Sequence, residues 1–142
     1  MIVPGMIVLD TNVVSEPLKM QPDPKVLAWL DAQAAETLYT TTISYSELRF
    51  GVLKMPEGNR KNSLAAQIER VLDLFKDRML EFNVKAAEQL AQIGARCEKI
   101  GKPATAPDAY IAAIAAANGF SVATRNVDHF KHTGVAVINP WG

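Results

Sequence analysis

Short apolar runs rich in β-branched residues alternate along this chain with longer stretches spaced as helices, and that alternation limits the fold more than any other feature. Met6 to Leu9 is an unbroken apolar run that stops at Asp10, Thr11 and Asn12, the pattern of a central parallel strand buried on both faces. Asp23 and Pro24 have the chemistry of an N-cap and a first helical residue, and Val26, Leu27, Trp29 and Leu30 follow on one helical face. Thr37 to Ile43 reads as a second strand. From Ser44 the apolar period lengthens to Tyr45, Leu48, Val52 and Met55, which predicts a helix. Pro56 and Gly58 end it, and Leu64, Ile68, Val71, Leu72 and Phe75 trace another.

Met79 to Val84 is a short third strand, and Ala86 to Ile100 has helical spacing through Leu90, Ile93 and Cys97 before Gly101 stops it. After the break KPATAP, Pro107 opens an alanine-rich helix that runs to Asn118 and Gly119. Ser121 to Thr124 and Val135 to Ile138 complete the strands, the last at a sheet edge. Strands alternating with helices predict an α/β fold: one domain over residues 1–142, with a central parallel β-sheet flanked by helices on both faces.

Composition narrows the function classes. Apolar residues make up 49% and charged residues 21%, the balance of a globular domain rather than a disordered segment. Fifteen basic residues offset fifteen acidic ones, so no global positive field holds nucleic acid and any such contact must be local. Cys97 is the only cysteine, which excludes an internal disulfide or thiolate metal site and fits a reducing cytoplasm. The opening MIVPGMIVLD has no basic segment and reaches an acid after nine residues, too short for a signal peptide or membrane span. Either Met1 or Met6 can serve as the start.

In such a fold the C-terminal ends of strands and the N-terminal ends of the following helices share one sheet edge, where ligands bind. Asp10 follows strand one, Glu47 lies in the first turn after strand two, Asp108 lies in the first turn of the alanine-rich helix, and Asp128 follows the strand ending at Thr124. At about 5 Å and an effective dielectric of about 20, each carboxylate pair repels by roughly 3 kcal/mol, so a bound cation is the natural remedy. Oxygen ligands without cysteine favour Mg²⁺ or Mn²⁺. Each acid alone also has a structural explanation: Glu47 completes a capping box with Ser44, Asp108 complements the helix dipole, and Asp10 caps a turn. Thr11, Asn12 and Thr124 adjoin the acids and can bond carboxylate, water or phosphate, or serve simply as turn and strand-end residues. Arg49 and Arg125 flank the edge as phosphate contacts or as solvated surface, and Lys54, Arg60 and Lys61 form a patch best read as solvated.

The runs MIVLDTNVVSEPLK, ISYSELRFGVLKMP, PDAYIAAIAAANGF and VATRNVDHF, with the ending NPWG, resemble those of a PIN-domain protein. More narrowly they are similar to the virulence-associated toxin C group of toxin-antitoxin ribonucleases, with its Fit-type and plasmid-stability members. The resemblance covers Met6 to Trp141 and implies a PIN-like nuclease domain, a Mg²⁺- or Mn²⁺-dependent endoribonuclease whose first three acids map to Asp10, Glu47 and Asp108. The family's fourth acid falls within TRNVDHF, where the usual places hold Asn126 and His129; Asp128, the only carboxylate there, takes the fourth role, helping with a second cation or orienting the attacking water. Asn126 joins the substrate side, and His129 reads as a surface or substrate-side residue. The resemblance also implies RNA as substrate, a small cognate antitoxin on helical faces near Leu48, Val52, Leu53 and Leu64, operator DNA contacted through that antitoxin, and a homodimer. The alternative is a catalytically weak regulatory module in a DNA-bound complex.

Overall fold

The computed structural model describes residues 2–142, so Met1, one of the two candidate start residues, lies outside the described residues. Five strands, β1 (Ile7–Leu9), β2 (Leu38–Thr41), β3 (Met79–Leu80), β4 (Ser121–Ala123) and β5 (Val137–Ile138), form a sheet in the order β3-β2-β1-β4-β5. Every pairing is parallel. The helices are α1 (Thr11–Ser15), α2 (Pro24–Ala32), α3 (Thr42–Leu53), α4 (Asn59–Phe75), α5 (Val84–Lys99), α6 (Asp108–Asn118) and α7 (Val127–Phe130). The α/β fold with a covered parallel sheet is as the sequence predicts.

Strand β1 is central and buried throughout, which is why its run is apolar without alternation. Its pleat divides the core. Val8 faces Ile93, Cys97, Ile111, Val122 and Phe130 on one side, while Ile7 and Leu9 face Val13, Val14, Leu38 and Phe75 on the other. The alanines of α6 have a packing cause: Ala109 and Ile111 through Ala115 are all buried, and small side chains let that helix approach its neighbours closely on more than one face. Gly119 stops it in the left-handed conformation, at φ +73°, which costs glycine nothing.

Several boundaries differ from the sequence reading. The second strand ends at Thr41 rather than Ile43, because the Thr41 hydroxyl accepts from the Ser44 backbone N–H at 3.1 Å and caps α3, which begins at Thr42. Asn83 caps α5 in the same way, accepting from Ala86 N–H at 3.0 Å, so the third strand is confined to Met79–Leu80. Pro107 occupies the N-cap of α6, and Asp108 is the first helical residue. The one-turn helices α1 and α7 were not expected; five and four residues are too few for an apolar period to register.

Close approach of α6 makes a direct prediction. Ala112 is fully buried and Ala95 is exposed on α5, so Ala112→Leu should lower unfolding free energy by about 1–3 kcal/mol and Ala95→Leu by less than about 0.5 kcal/mol. Equal denaturation midpoints for the two variants would refute the packing account.

Candidate active site

The strand ladder continues one residue past β1 and β4. Asp10 N–H donates to Ala123 O at 2.9 Å and Thr124 N–H donates to Ile138 O at 2.9 Å, so the side chains of Asp10 and Thr124 emerge together at the C-terminal edge. There the Thr124 hydroxyl donates to Asp10 Oδ2 at 2.7 Å, and Thr11 N–H donates to Oδ1 at 2.8 Å. Thr124 Oγ1 in turn accepts from Asn126 N–H at 2.9 Å, tying the next turn to the same carboxylate. Asn12 spans the gap, with Nδ2 3.4 Å from Asp10 Oδ2 and Oδ1 accepting from Arg125 N–H at 3.3 Å.

Glu47 arrives from α3. Because that helix starts at Thr42, Glu47 sits in its second turn, and the capping-box explanation for it fails. Its Oε1 instead accepts from the Thr11 hydroxyl at 2.5 Å, and Thr11 Oγ1 lies 2.9 Å from Ser44 Oγ. Ser44 is one helical turn before Glu47 and so shares its face, a spacing visible in the sequence but read there as a cap. Asp108 comes from the first turn of α6, and His129 Nδ1 lies 2.5 Å from its Oδ2. Asp10, Glu47 and Asp108 line one open cavity of about 300 Å³, together with Thr11, Asn12, Ser15 and Asn126.

The structure does not bring Asp128 to this cavity. In the single turn of α7, positions three apart share a side, so Asn126 turns to the acids and His129 to Asp108, while Asp128 is rotated away. It lines a different cavity, beside Lys102 and Lys131. Of the segment expected to supply a fourth acid, Asn126 and not Asp128 lines the acidic cavity, and His129 is an unforeseen partner of Asp108. Neither Arg49 nor Arg125 lines the acidic cavity; the Arg125 guanidinium lies 5.2 Å from the Trp141 ring centroid. In the basic patch, Lys61 pairs with Glu57 at 2.7 Å and Lys54 lies over Phe50, as a solvated face would.

Burial is the dominant force on Asp10, which is 2% exposed. Desolvation raises its pKa from 3.8 to about 6, against the Thr124 and Thr11 hydrogen bonds, with the charges of Asp108 and Glu47 adding to the rise. A cation would reverse that balance. Among the described residues no three Asp, Glu, His or Cys side chains stand close enough to hold an ion by themselves. The open cavity and its oxygen-only donors suit an ion such as Mg²⁺, which keeps several waters and takes one or two carboxylates directly.

A parallel sheet in this order, with acids from the end of β1, from α3 and from α6 lining one cavity, defines the class of fold and site. The PIN domain family model matches residues 7–136. The chain belongs to the PIN-domain family and, within it, to the virulence-associated toxin C group. It is 47% identical over 137 residues to "VapC ribonuclease Y4jK" of Sinorhizobium fredii, covering 96% of this chain and 98% of that protein. It is 44% identical over 137 residues to "Toxin FitB" of Neisseria gonorrhoeae, covering 96% of this chain and 99% of that protein. Among solved structures, "Structure of FitAB bound to IR36 DNA fragment" superposes with a TM-score of 0.92 at 43% identity, covering 96% of each chain.

The raised pKa of Asp10 has a sign that can be tested. The folded chain binds more protons than the unfolded one between pH 4 and 6, so in chelator this group's contribution falls by up to about 3 kcal/mol as pH rises through that window, then stays level. Asp10→Asn should remove that dependence and stabilise the metal-free protein at pH 7 by about 1 kcal/mol or more in urea denaturation. A less stable Asp10→Asn chain at pH 7 would show that the carboxylate's hydrogen bonds outweigh its desolvation.

Proposed function

We propose that this chain is the toxin of a toxin-antitoxin pair and acts as an endoribonuclease dependent on Mg²⁺ or Mn²⁺. The observation that carries this reading is the convergence of Asp10, Glu47 and Asp108 in one open cavity, in a PIN-domain chain 47% identical to a protein named a VapC ribonuclease. The three acids hold the ion, in part through water. Once bound, the cation would supply Lewis-acid activation of water and offset negative charge developing on the scissile phosphate.

The rest of the chemistry belongs to side chains that fix the acids. Thr124 and Thr11 N–H hold Asp10, the Thr11 hydroxyl holds one oxygen of Glu47, and His129 holds one oxygen of Asp108. That leaves Glu47 Oε2 and Asp108 Oδ1 for the ion or its waters. Asn12 and Asn126 supply amide donors at the rim for substrate phosphate oxygens. Arg49 and Arg125 meet phosphates only beyond the cavity. Asp128 has no part in this arrangement, because it faces away.

A second cavity, of about 290 Å³, runs between α3 and α4, lined by Leu18, Leu48, Val52, Leu64 and Ile68, and it shares Ser15 and Glu47 with the acidic one. An amphipathic antitoxin helix seated there would cover the acids while burying its apolar face. Leu53, expected on that face, points to solvent at 60% exposure. The DNA fragment in the FitAB structure supports operator contact through the antitoxin. A homodimeric state and a cytoplasmic place of action belong to the same reading; no helix is long and apolar enough to cross a membrane among the described residues.

Purified chain free of antitoxin should cut single-stranded RNA with Mn²⁺ and stop on chelation. Asp10→Asn, Glu47→Gln and Asp108→Asn should each lower kcat/KM at least about 100-fold, about 2.7 kcal/mol of transition-state stabilisation, with the fold intact by circular dichroism. Full activity in Asp10→Asn would overturn the metal-site assignment. The absence of a fourth acid from the cavity favours, as second reading, a regulatory module without activity; RNA bound but left uncut by the unaltered chain with Mn²⁺ would select it. Preference for flapped DNA over RNA in direct competition would select a DNA nuclease instead.

A further inference from the structure

A cavity larger than the acidic one lies outside it. It encloses about 580 Å³ between the turn after α5 and the segment around α7, and Lys102, Lys131, His129 and His132 line it with Asp128 as the one carboxylate. That volume is within the roughly 300–1,000 Å³ range of ligand pockets. Among the described residues neither Lys102 nor Lys131 enters an ion pair. Both are exposed, on a chain whose formal net charge is zero.

Two facts connect this cavity with the acidic one. His129 lines the larger cavity and bonds Asp108, which lines the acidic one, so a single hydrogen bond joins a residue of each cavity. The acidic cavity itself has no lysine or arginine in its lining, and three carboxylates repel a polyanion wherever the ion does not mask them. Attraction for a polyanion therefore has to come from beside the acids: the cavity that shares Ser15 and Glu47 with them holds Arg60 and a Lys19 already paired with Glu16, whereas the larger cavity offers two lysines without an ion pair among the described residues.

Its walls are also braced. Arg96 Nη2 donates to Thr133 O at 2.6 Å, Cys97 Sγ donates to His132 O at 3.4 Å, and the Thr133 hydroxyl donates to Phe130 O at 2.7 Å. Gly134, at φ +88°, has no Cβ, which would otherwise sit 2.9 Å from Arg96 Nη2. Lys131 and His132 thus project from a segment pinned to α5, which lowers the ordering entropy a ligand must supply.

We propose that this basic cavity is a second phosphate subsite, holding a nucleotide that flanks the cleaved bond of a single-stranded RNA as the strand passes over His129. The subsite rests on the ribonuclease reading for the identity of its ligand. Its contacts are ammonium to phosphate, so it fixes strand position without reading base sequence.

The test measures binding apart from cleavage, by fluorescence anisotropy of a labelled single-stranded RNA on the full chain in chelator and again on the Asp10→Asn chain. Lys102→Glu with Lys131→Glu should weaken binding at least tenfold and flatten the slope of log affinity against log salt by about 1.4, two single-strand phosphate contacts at about 0.7 each. Lys102→Gln with Lys131→Gln should move both readings the same way by less, which guards against a misfolded charge reversal. Lys85→Glu, an exposed site on α5, should change neither. Affinity and slope in the double variants equal to those of Lys85→Glu would overturn the subsite. So would a changed sedimentation coefficient, which would make the cavity an interface between copies. RNA held through Lys102 and Lys131 but never cut with Mn²⁺ would uphold the subsite and overturn the ribonuclease reading. RNA cut by the double variants with unaltered KM would do the reverse.

Discussion

A carboxylate buried at the end of the central strand sets the terms for the whole active edge. Asp10 is 2% exposed, and three donors approach it, from Thr11 N–H, Thr124 and Asn12. Neutral donors of this kind contribute about 1 kcal/mol each, whereas removing an anion from water costs several kcal/mol even after relaxation. Desolvation wins, as the pKa of about 6 records. Near neutral pH the group is ionised and under-compensated, with Glu47 and Asp108 adding repulsion. Such a site is stabilised most by whatever brings positive charge, so the same burial that weakens the fold would strengthen its hold on a cation of the kind proposed.

The remaining structure keeps that arrangement from relaxing. A hydroxyl cluster of Thr11, Thr41 and Ser44 ties α1 to the start of α3, and through Thr11 it reaches Glu47. Thr124 does the same between β4, the turn after it and Asp10. These residues are buried or half-buried, so releasing one would leave polar groups unpaired out of water. Rotation of any single acid away from its neighbours therefore disturbs at least two elements.

Sequence patterning conveyed the long elements and the three main acids because each rests on many residues: a strand's apolar run, a helix's period, a helix stop at Gly119. It failed where one turn carried the meaning. Nothing in TRNVDHF marks a four-residue helix, yet that turn decides that Asn126 and His129 face the acids and Asp128 does not. Ser44 misled in a related way. Its spacing to Glu47 suits both a capping box and a shared helix face, and only the location of the cap, at Thr41, separates them. Thr11 looked like a turn residue or substrate contact, and its bond to Glu47 joins segments 36 residues apart, a distance no local pattern conveys.

A neutral chain that handles a polyanion has to separate its charges in space rather than carry an excess of one sign. Here the two regions meet at the hydrogen bond between His129 and Asp108. On one side of the His129–Asp108 bond lie three carboxylates, and on the other lie two exposed lysines. A uniformly basic surface would hold RNA in many registers. An acidic pocket alone would repel it. On the proposed ribonuclease reading, placing the two side by side would give the strand one favourable position, and the electrostatic cost of the buried acids would then contribute to selectivity in where the strand lies as well as to ion binding.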